Sequence, residues 1–435
     1  MGGMDITFGV SRRLGKTDIC ALLLPPVRGA MSARQPAVLF IFITLVLDIL
    51  GIGLVVPVLP GLVQHYQEGS LAAGSVTYGL LAATYALMQF LFAPLIGSLS
   101  DRFGRRPVIL VSLLGSAIDY FLIAFAPDLV WFVVGRVVAG ITAANYAAAS
   151  AYIADISPPE KRAANFGLIG AAFGIGFIIG PVLGGLCAKF GVKVPFFVAG
   201  GLTLINWAYG WFVLPESLAP ENRRAFSWRR SNPIGALLAL HRFPALLGLV
   251  MTYFIAVLAH QVYPSIWVLY TSFRYQWTEL QTGLSLAAVG FMAGMVQGGL
   301  TKRVVGRLGE RRTVLAGLFL AVFLYAAYGM ASQAWMIYGC IIIGSLTGLV
   351  TPAVQSLMTQ SVPANEQGEL QGALSSLSSV AGVAGPVVCT QLFGFFVSDK
   401  APVLLPGAPF FWSSILMIAA LVVAVPSLRR IQAVQ

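Results

Sequence analysis

Long apolar stretches separated by short polar loops organise this chain from about residue 37 onward. A helix needs about 20 mostly apolar residues to cross a bilayer. Twelve stretches meet that length, at 37–62, 77–99, 107–127, 129–151, 164–187, 194–214, 244–270, 279–301, 313–332, 335–359, 369–395 and 409–427. The widest polar interruption, 215–243, falls after the sixth and carries Arg223, Arg224, Arg229, Arg230 and Arg242. The pattern predicts an all-α polytopic membrane protein. It has an N-terminal tail (1–34), a six-helix half (35–214), a polar linker (215–243), a second six-helix half (244–428) and a short C-terminal tail (429–435).

Composition sharpens this. The 435 residues are 58% hydrophobic and 10% charged, with a mean hydropathy of +0.84. An ordinary soluble protein is about 25% charged, so this chain lacks the residues for a water-facing surface. Soluble enzymes, nucleic-acid binders and secreted disulfide scaffolds are excluded together. The net charge of +11 is explained by topology rather than by an anionic partner. Of 27 Lys and Arg residues, 22 lie in the two tails, the linker and the even-numbered loops; only four lie in the odd-numbered loops. Basic loops stay on the cytoplasmic side, which predicts an inner-membrane protein with both termini in the cytoplasm.

The four cysteines (Cys20, Cys187, Cys340, Cys389) have no metal-ligand spacing, and neither a metal nor a cofactor is expected. Ser11-Arg12-Arg13 resembles a twin-arginine export signal, but the apolar run after it, Ala21 to Leu24, is too short. The expectation is a disordered tail or a start at Met31.

The two halves repeat one another. Gly180-Pro181 matches Gly385-Pro386 at an offset of 205, Gly135 and Gly140 match Gly339 and Gly344 at 204, and Arg105-Arg106 matches Arg311-Arg312 at 206. Three matches in order at nearly one offset indicate duplicated halves, the arrangement of secondary transporters that rock about a central site.

The loop after the second stretch reads Gly97-Ser98-Leu99-Ser100-Asp101-Arg102-Phe103-Gly104-Arg105-Arg106. It resembles the signature loop of the major facilitator superfamily. In the fifth stretch, Gly170, Gly174, Gly176, Gly180-Pro181 and Gly184 resemble the signature of its drug:proton antiporters, and Arg136-x-x-x-Gly140 resembles their third motif. Leu47 to Gly53 and Tyr85 to Gln89 are similar to the tetracycline-resistance branch. The resemblance implies that the loop latches the two halves together on the cytoplasmic side. On physical grounds Asp101 suits the positive N-terminal end of a neighbouring helix, and Arg105 or Arg106 can pair with Asp155. The alternative is that these charges only set topology. The second copy has Arg307 in place of Asp101, so the latch is expected on one side. Glycines four apart let helices approach closely, and static packing is the alternative role for the Gly-Pro motif.

Asp48, Asp119 and Arg136 fall inside predicted spans. A charge at a helix centre costs about 2.5–3.5 kcal/mol on insertion scales. At 1.5 Å per residue they sit at depths of roughly 17, 18 and 22 Å from the cytoplasmic boundary. This predicts one polar cavity in which Asp48 and Asp119 take the proton and Arg136 tunes them; a structural ion pair is the competing reading. Polar and aromatic candidates for the substrate are Gln89, Asn145 and Tyr146 in the first half, with Gln261, Trp267, Phe291, Gln297 and Gln355 in the second. His260 and Thr351 stand beside them, His260 as a bystander. Gln261 resembles a Gln of the tetracycline branch. That branch would have a His in span eight and an acid in span nine, where this chain has Ala293 and Ala321.

The expected function is proton-driven efflux of a small amphipathic, tetracycline-like drug by a monomer that uses the proton gradient and no cofactor. A metabolite transporter on the same fold and a non-transporting membrane sensor are the alternatives. No enzymatic motif is present.

Overall fold

The computed structural model describes residues 34–143, 145–158, 161–224, 232, 235, 239–242, 244–363 and 366–434. Among them every regular element is helical, and eleven helices are long and apolar enough to cross a membrane. In chain order these are span 1 (Val38–His65), span 2 (Leu71–Phe103), span 3 (Arg105–Phe125), span 5 (Asn165–Ala188), span 6 (Val194–Val213), span 7 (Leu247–Tyr275), span 8 (Glu279–Leu308), span 9 (Glu310–Met330), span 10 (Ala334–Gln360), span 11 (Glu369–Phe396) and span 12 (Ala408–Arg429). Span 4 is carried by two shorter helices, Leu129–Thr142 and Asn145–Ile156.

Several helices outrun their apolar stretches because polar residues extend them. Ser70 accepts a hydrogen bond from the Ala73 backbone and so starts span 2 six residues before the predicted 77. At 33 residues this helix is about 50 Å long, well beyond a hydrocarbon core of about 30 Å. The predicted C-terminal tail continues the last helix, which runs Ala408–Val434. Residues 1–33, with Cys20 and Met31, lie outside the described residues, as does much of the linker.

Each half has its own apolar core. One cluster is built on Tyr253, Trp267, Tyr270, Tyr325, Phe393 and Phe410. The first half holds two, around Tyr152 and around Phe132. Between the halves the main pairings are span 2 with span 11 and span 5 with span 8.

Small residues set the approach. Within the first half, a Cβ on Gly180 would lie 2.7 Å from the Gly53 Cα, so spans 1 and 5 meet backbone to backbone. Between the halves, Gly79 has room only for its hydrogen against Thr390, Gly394 abuts Ser75, Gly185 abuts Leu280, and Gly283 abuts the Pro181 carbonyl. All of these lie on the side away from the linker, here the far face. On the linker face Gly97, Gly167, Gly170, Gly298, Gly299 and Gly372 meet nothing within 4 Å. The halves therefore converge at the far face and diverge toward the linker face.

Candidate functional site

Spans 1, 3 and 4 bring the three predicted membrane-depth charges together. Asp119 is 2% exposed and its Oδ2 accepts a 2.7 Å hydrogen bond from Arg136 Nη2. Gly135 makes room for this pair, since a Cβ there would lie 2.5 Å from Asp119 Oδ1. Asp119 Oδ1 and Arg136 Nε are buried with no hydrogen-bond partner, and so is Thr203 Oγ1 of span 6. The Arg136 guanidinium lies 5.9 Å from the centre of the Tyr85 ring. Asp48, Asp119 and Arg136 all act electrostatically on Tyr85 and Tyr120, which places the three charges around two tyrosines. Neither tyrosine was among the sequence candidates. The signal was available: Tyr120 follows Asp119 directly, and Tyr85 begins the run that ends at Gln89.

The signature loop is braced within its own half. Gly104 takes φ +107°, a conformation suited to glycine, and turns the chain between spans 2 and 3. Arg105, 8% exposed, donates to Ser100 Oγ (2.7 Å), to Asp101 (2.5 Å) and to Asp155 (3.1 Å). Glu216 accepts from the first two backbone N–H groups of span 3, Arg105 at 2.9 Å and Arg106 at 3.3 Å. Arg106 reaches the Trp211 carbonyl at 2.5 Å, and the exposed Arg102 lies over the Phe103 ring. The Arg105–Asp155 pairing is the one expected. Asp101 pairs with Arg105, four residues on. The N-terminus of span 3 is capped by Glu216, which sequence reasoning missed since it lies 111 residues from Arg105.

In the antiporter motif, Gly176 packs on Ile49, Gly180 on Gly53 and Gly184 on Leu54, all of span 1. Pro181 faces Gly283 of span 8, whereas Gly174 meets nothing within 4 Å. The Gly-Pro motif thus sits where span 5 joins both its own half and the opposite one.

A chamber of about 400 Å³ opens within the second half. His260, Gln261, Gln297, Thr351 and Gln355 line it, so five of the polar residues singled out from the sequence share one wall. Tyr325 joins them with its hydroxyl 3.3 Å from His260 Nδ1, and Ala321 lies on the lining. Gln355 Nε2 donates to Tyr253 Oη at 3.3 Å.

Other candidates are not brought in. Trp267 is 3% exposed in the aromatic core and donates through Nε1 to Ser285 at 2.9 Å. Phe291 is 56% exposed and outside the chamber. Gln89 is half-buried on span 2, also outside it. The side chains of Asn145 and Tyr146 lie outside the described residues.

The family described as Major Facilitator Superfamily matches residues 41–386. The class C tetracycline resistance protein of Escherichia coli is 38% identical over 397 residues, covering 91% of this chain and 96% of that protein. The class G protein of Vibrio anguillarum is 38% identical over 350 residues, covering 80% and 88%. Among solved structures, the human organic anion transporter MFSD10 (TETRAN) superposes with a TM-score of 0.68 at 25% identity, covering 92% of this chain and all of that one. A bacterial homolog of the human lysosomal transporter Spinster, in an inward-facing and unoccupied conformation, superposes at 0.72 with 14% identity, covering 93% and 99%. The chain belongs to the Major Facilitator Superfamily, in the branch of the tetracycline resistance proteins.

Proposed function

We propose that this protein exports a small amphipathic compound, a tetracycline-like drug, across the inner membrane in exchange for protons. The carrying observation is the buried Asp119–Arg136 pair, whose second carboxylate oxygen has no partner. A charged pair at membrane depth is costly to keep, and a proton arriving at Asp119 Oδ1 would weaken its hold on Arg136. Asp48 acts on the same two tyrosines. It is the second proton acceptor in this reading, and Arg136 holds the charge balance while the proton moves. Each proton falling through 100 mV yields about 2.3 kcal/mol, so no cofactor is needed.

The concentration of Lys and Arg on the linker face makes that face cytoplasmic. The structure is then open inward, and the chamber loads from the cytoplasm. Release requires the far-face contacts of spans 2 with 11 and 5 with 8 to part while the linker face closes. In that second state the signature loop serves as the latch, with Asp101 turned from Arg105 toward the other half. One chain contains both halves and the chamber, which supports action as a monomer. The names of the tetracycline resistance relatives support the choice of substrate.

Everted vesicles energised by respiration provide the test. Adding tetracycline should discharge the pH gradient, and Asp119→Asn or Asp48→Asn should abolish the response while leaving folded protein in the membrane. Undiminished uphill export in both variants would remove the proton role from these carboxylates.

A further inference from the structure

We propose that the second-half chamber is a carboxylate-free subsite that takes the exported compound uncharged and without a bound divalent cation. This rests on the export reading and specifies the form in which the substrate is carried. The chamber's volume of about 400 Å³ suits a small molecule. Its lining offers amides from Gln261, Gln297 and Gln355, hydroxyls from Thr347, Thr351 and Tyr325 and the imidazole of His260, but no Asp, Glu, Lys or Arg. Amides and hydroxyls both donate and accept. Such a wall therefore matches the neutral keto, enol and amide edges of a flat molecule without preferring a charge.

The backbone shows that the chamber is built for polar contents. Gln297 lies on a π-helical turn, Val296–Leu300, and Thr347 on a 3₁₀ turn, Ser345–Leu349. The two turns pack against one another. Irregular backbone at membrane depth persists only where it is buried in protein or lines a wet cavity, and π-turns recur at functional sites. Here two irregular turns from neighbouring spans border the same space.

A bound divalent cation would find nothing to favour it. Such ions take oxygen ligands that include carboxylates. Among the described residues, no three His, Cys, Asp or Glu side chains are grouped to hold a metal. The two membrane-depth carboxylates belong to the first half, and Asp119 is already engaged by Arg136. A net positive complex in the chamber would exchange water for amides, hydroxyls and one imidazole with no carboxylate to offset it, and burying an uncompensated charge is costly.

The test is equilibrium binding of tetracycline to the full-length protein in lipid nanodiscs at fixed pH, with excess Mg²⁺ or with EDTA. Affinity in EDTA should equal or exceed that in Mg²⁺. Gln297→Glu, which adds one carboxylate to the wall, should gain affinity about tenfold in Mg²⁺ relative to EDTA, equivalent to about 1.4 kcal/mol. Wild-type binding lost in EDTA would overturn the proposal and leave the export reading standing. Absence of binding in either condition would overturn both.

Discussion

Arg136 holds one oxygen of Asp119 at 2.7 Å and leaves the other buried without a partner. The arrangement differs from a fully satisfied structural ion pair, in which both oxygens would be engaged. Its stability and its reactivity therefore separate experimentally. Arg136→Ala strands a buried carboxylate and should cost about 3–5 kcal/mol. Asp119→Asn leaves the Arg136 charge without its counter-ion but keeps an amide oxygen to accept from it, and should cost less while ending proton exchange. Thermal unfolding of the two variants beside wild type checks the order.

Gly135→Ala probes the same pair without touching a charge. Its Cβ would press on Asp119 Oδ1. Drug-induced proton release should fall severalfold while the protein still inserts and folds, and pH-sensitive dye quenching in everted vesicles reads this directly.

The far-face closure predicts a cross-link. Ser75→Cys with Thr390→Cys, in a background without Cys20, Cys187, Cys340 and Cys389, places two thiols across the closed face, where Ser75 Oγ lies 3.5 Å from the Thr390 carbonyl. Mild oxidation should form the disulfide and stop transport, and reductant should restore it. Failure to cross-link would show that the far face is not closed in the membrane.

Glu216 caps span 3 from beyond span 6, at the start of the linker. Glu216→Ala should lower stability by about 0.5–2 kcal/mol, as for other helix caps. Gly104→Ala should cost more, since it combines strain at φ +107° with a contact on the same carboxylate. Both are measured by thermal unfolding in detergent.

Trp267→Phe separates core from site. Loss of the Nε1–Ser285 hydrogen bond should cost about 1 kcal/mol of stability. Tetracycline affinity should be unchanged, whereas Gln355→Ala should lower it. An affinity loss in Trp267→Phe would return this ring to the substrate site.

The spans were legible because apolar length is a direct physical requirement of the bilayer, and the membrane-depth charges because their cost marks them. Asp48, Asp119, Arg136 and the five polar residues of the chamber all emerged from that logic. Where sequence reasoning strayed, three-dimensional partners decide. Trp267 reads as a lining aromatic until Ser285 is seen to meet its N–H, and Phe291 has apolar neighbours in sequence but none that enclose it. Glu216 looks like a linker charge until the chain returns it to span 3. Ends of helices were misjudged where polar caps such as Ser70 carry a helix past its apolar stretch.

The divergence of the halves toward the linker face also bears on kinetics. A chain already shaped to admit its ligand loses no affinity to an unpopulated competent state. At trace concentrations of drug, capture is then governed by diffusional encounter. Such a pump begins to act before a toxic load accumulates.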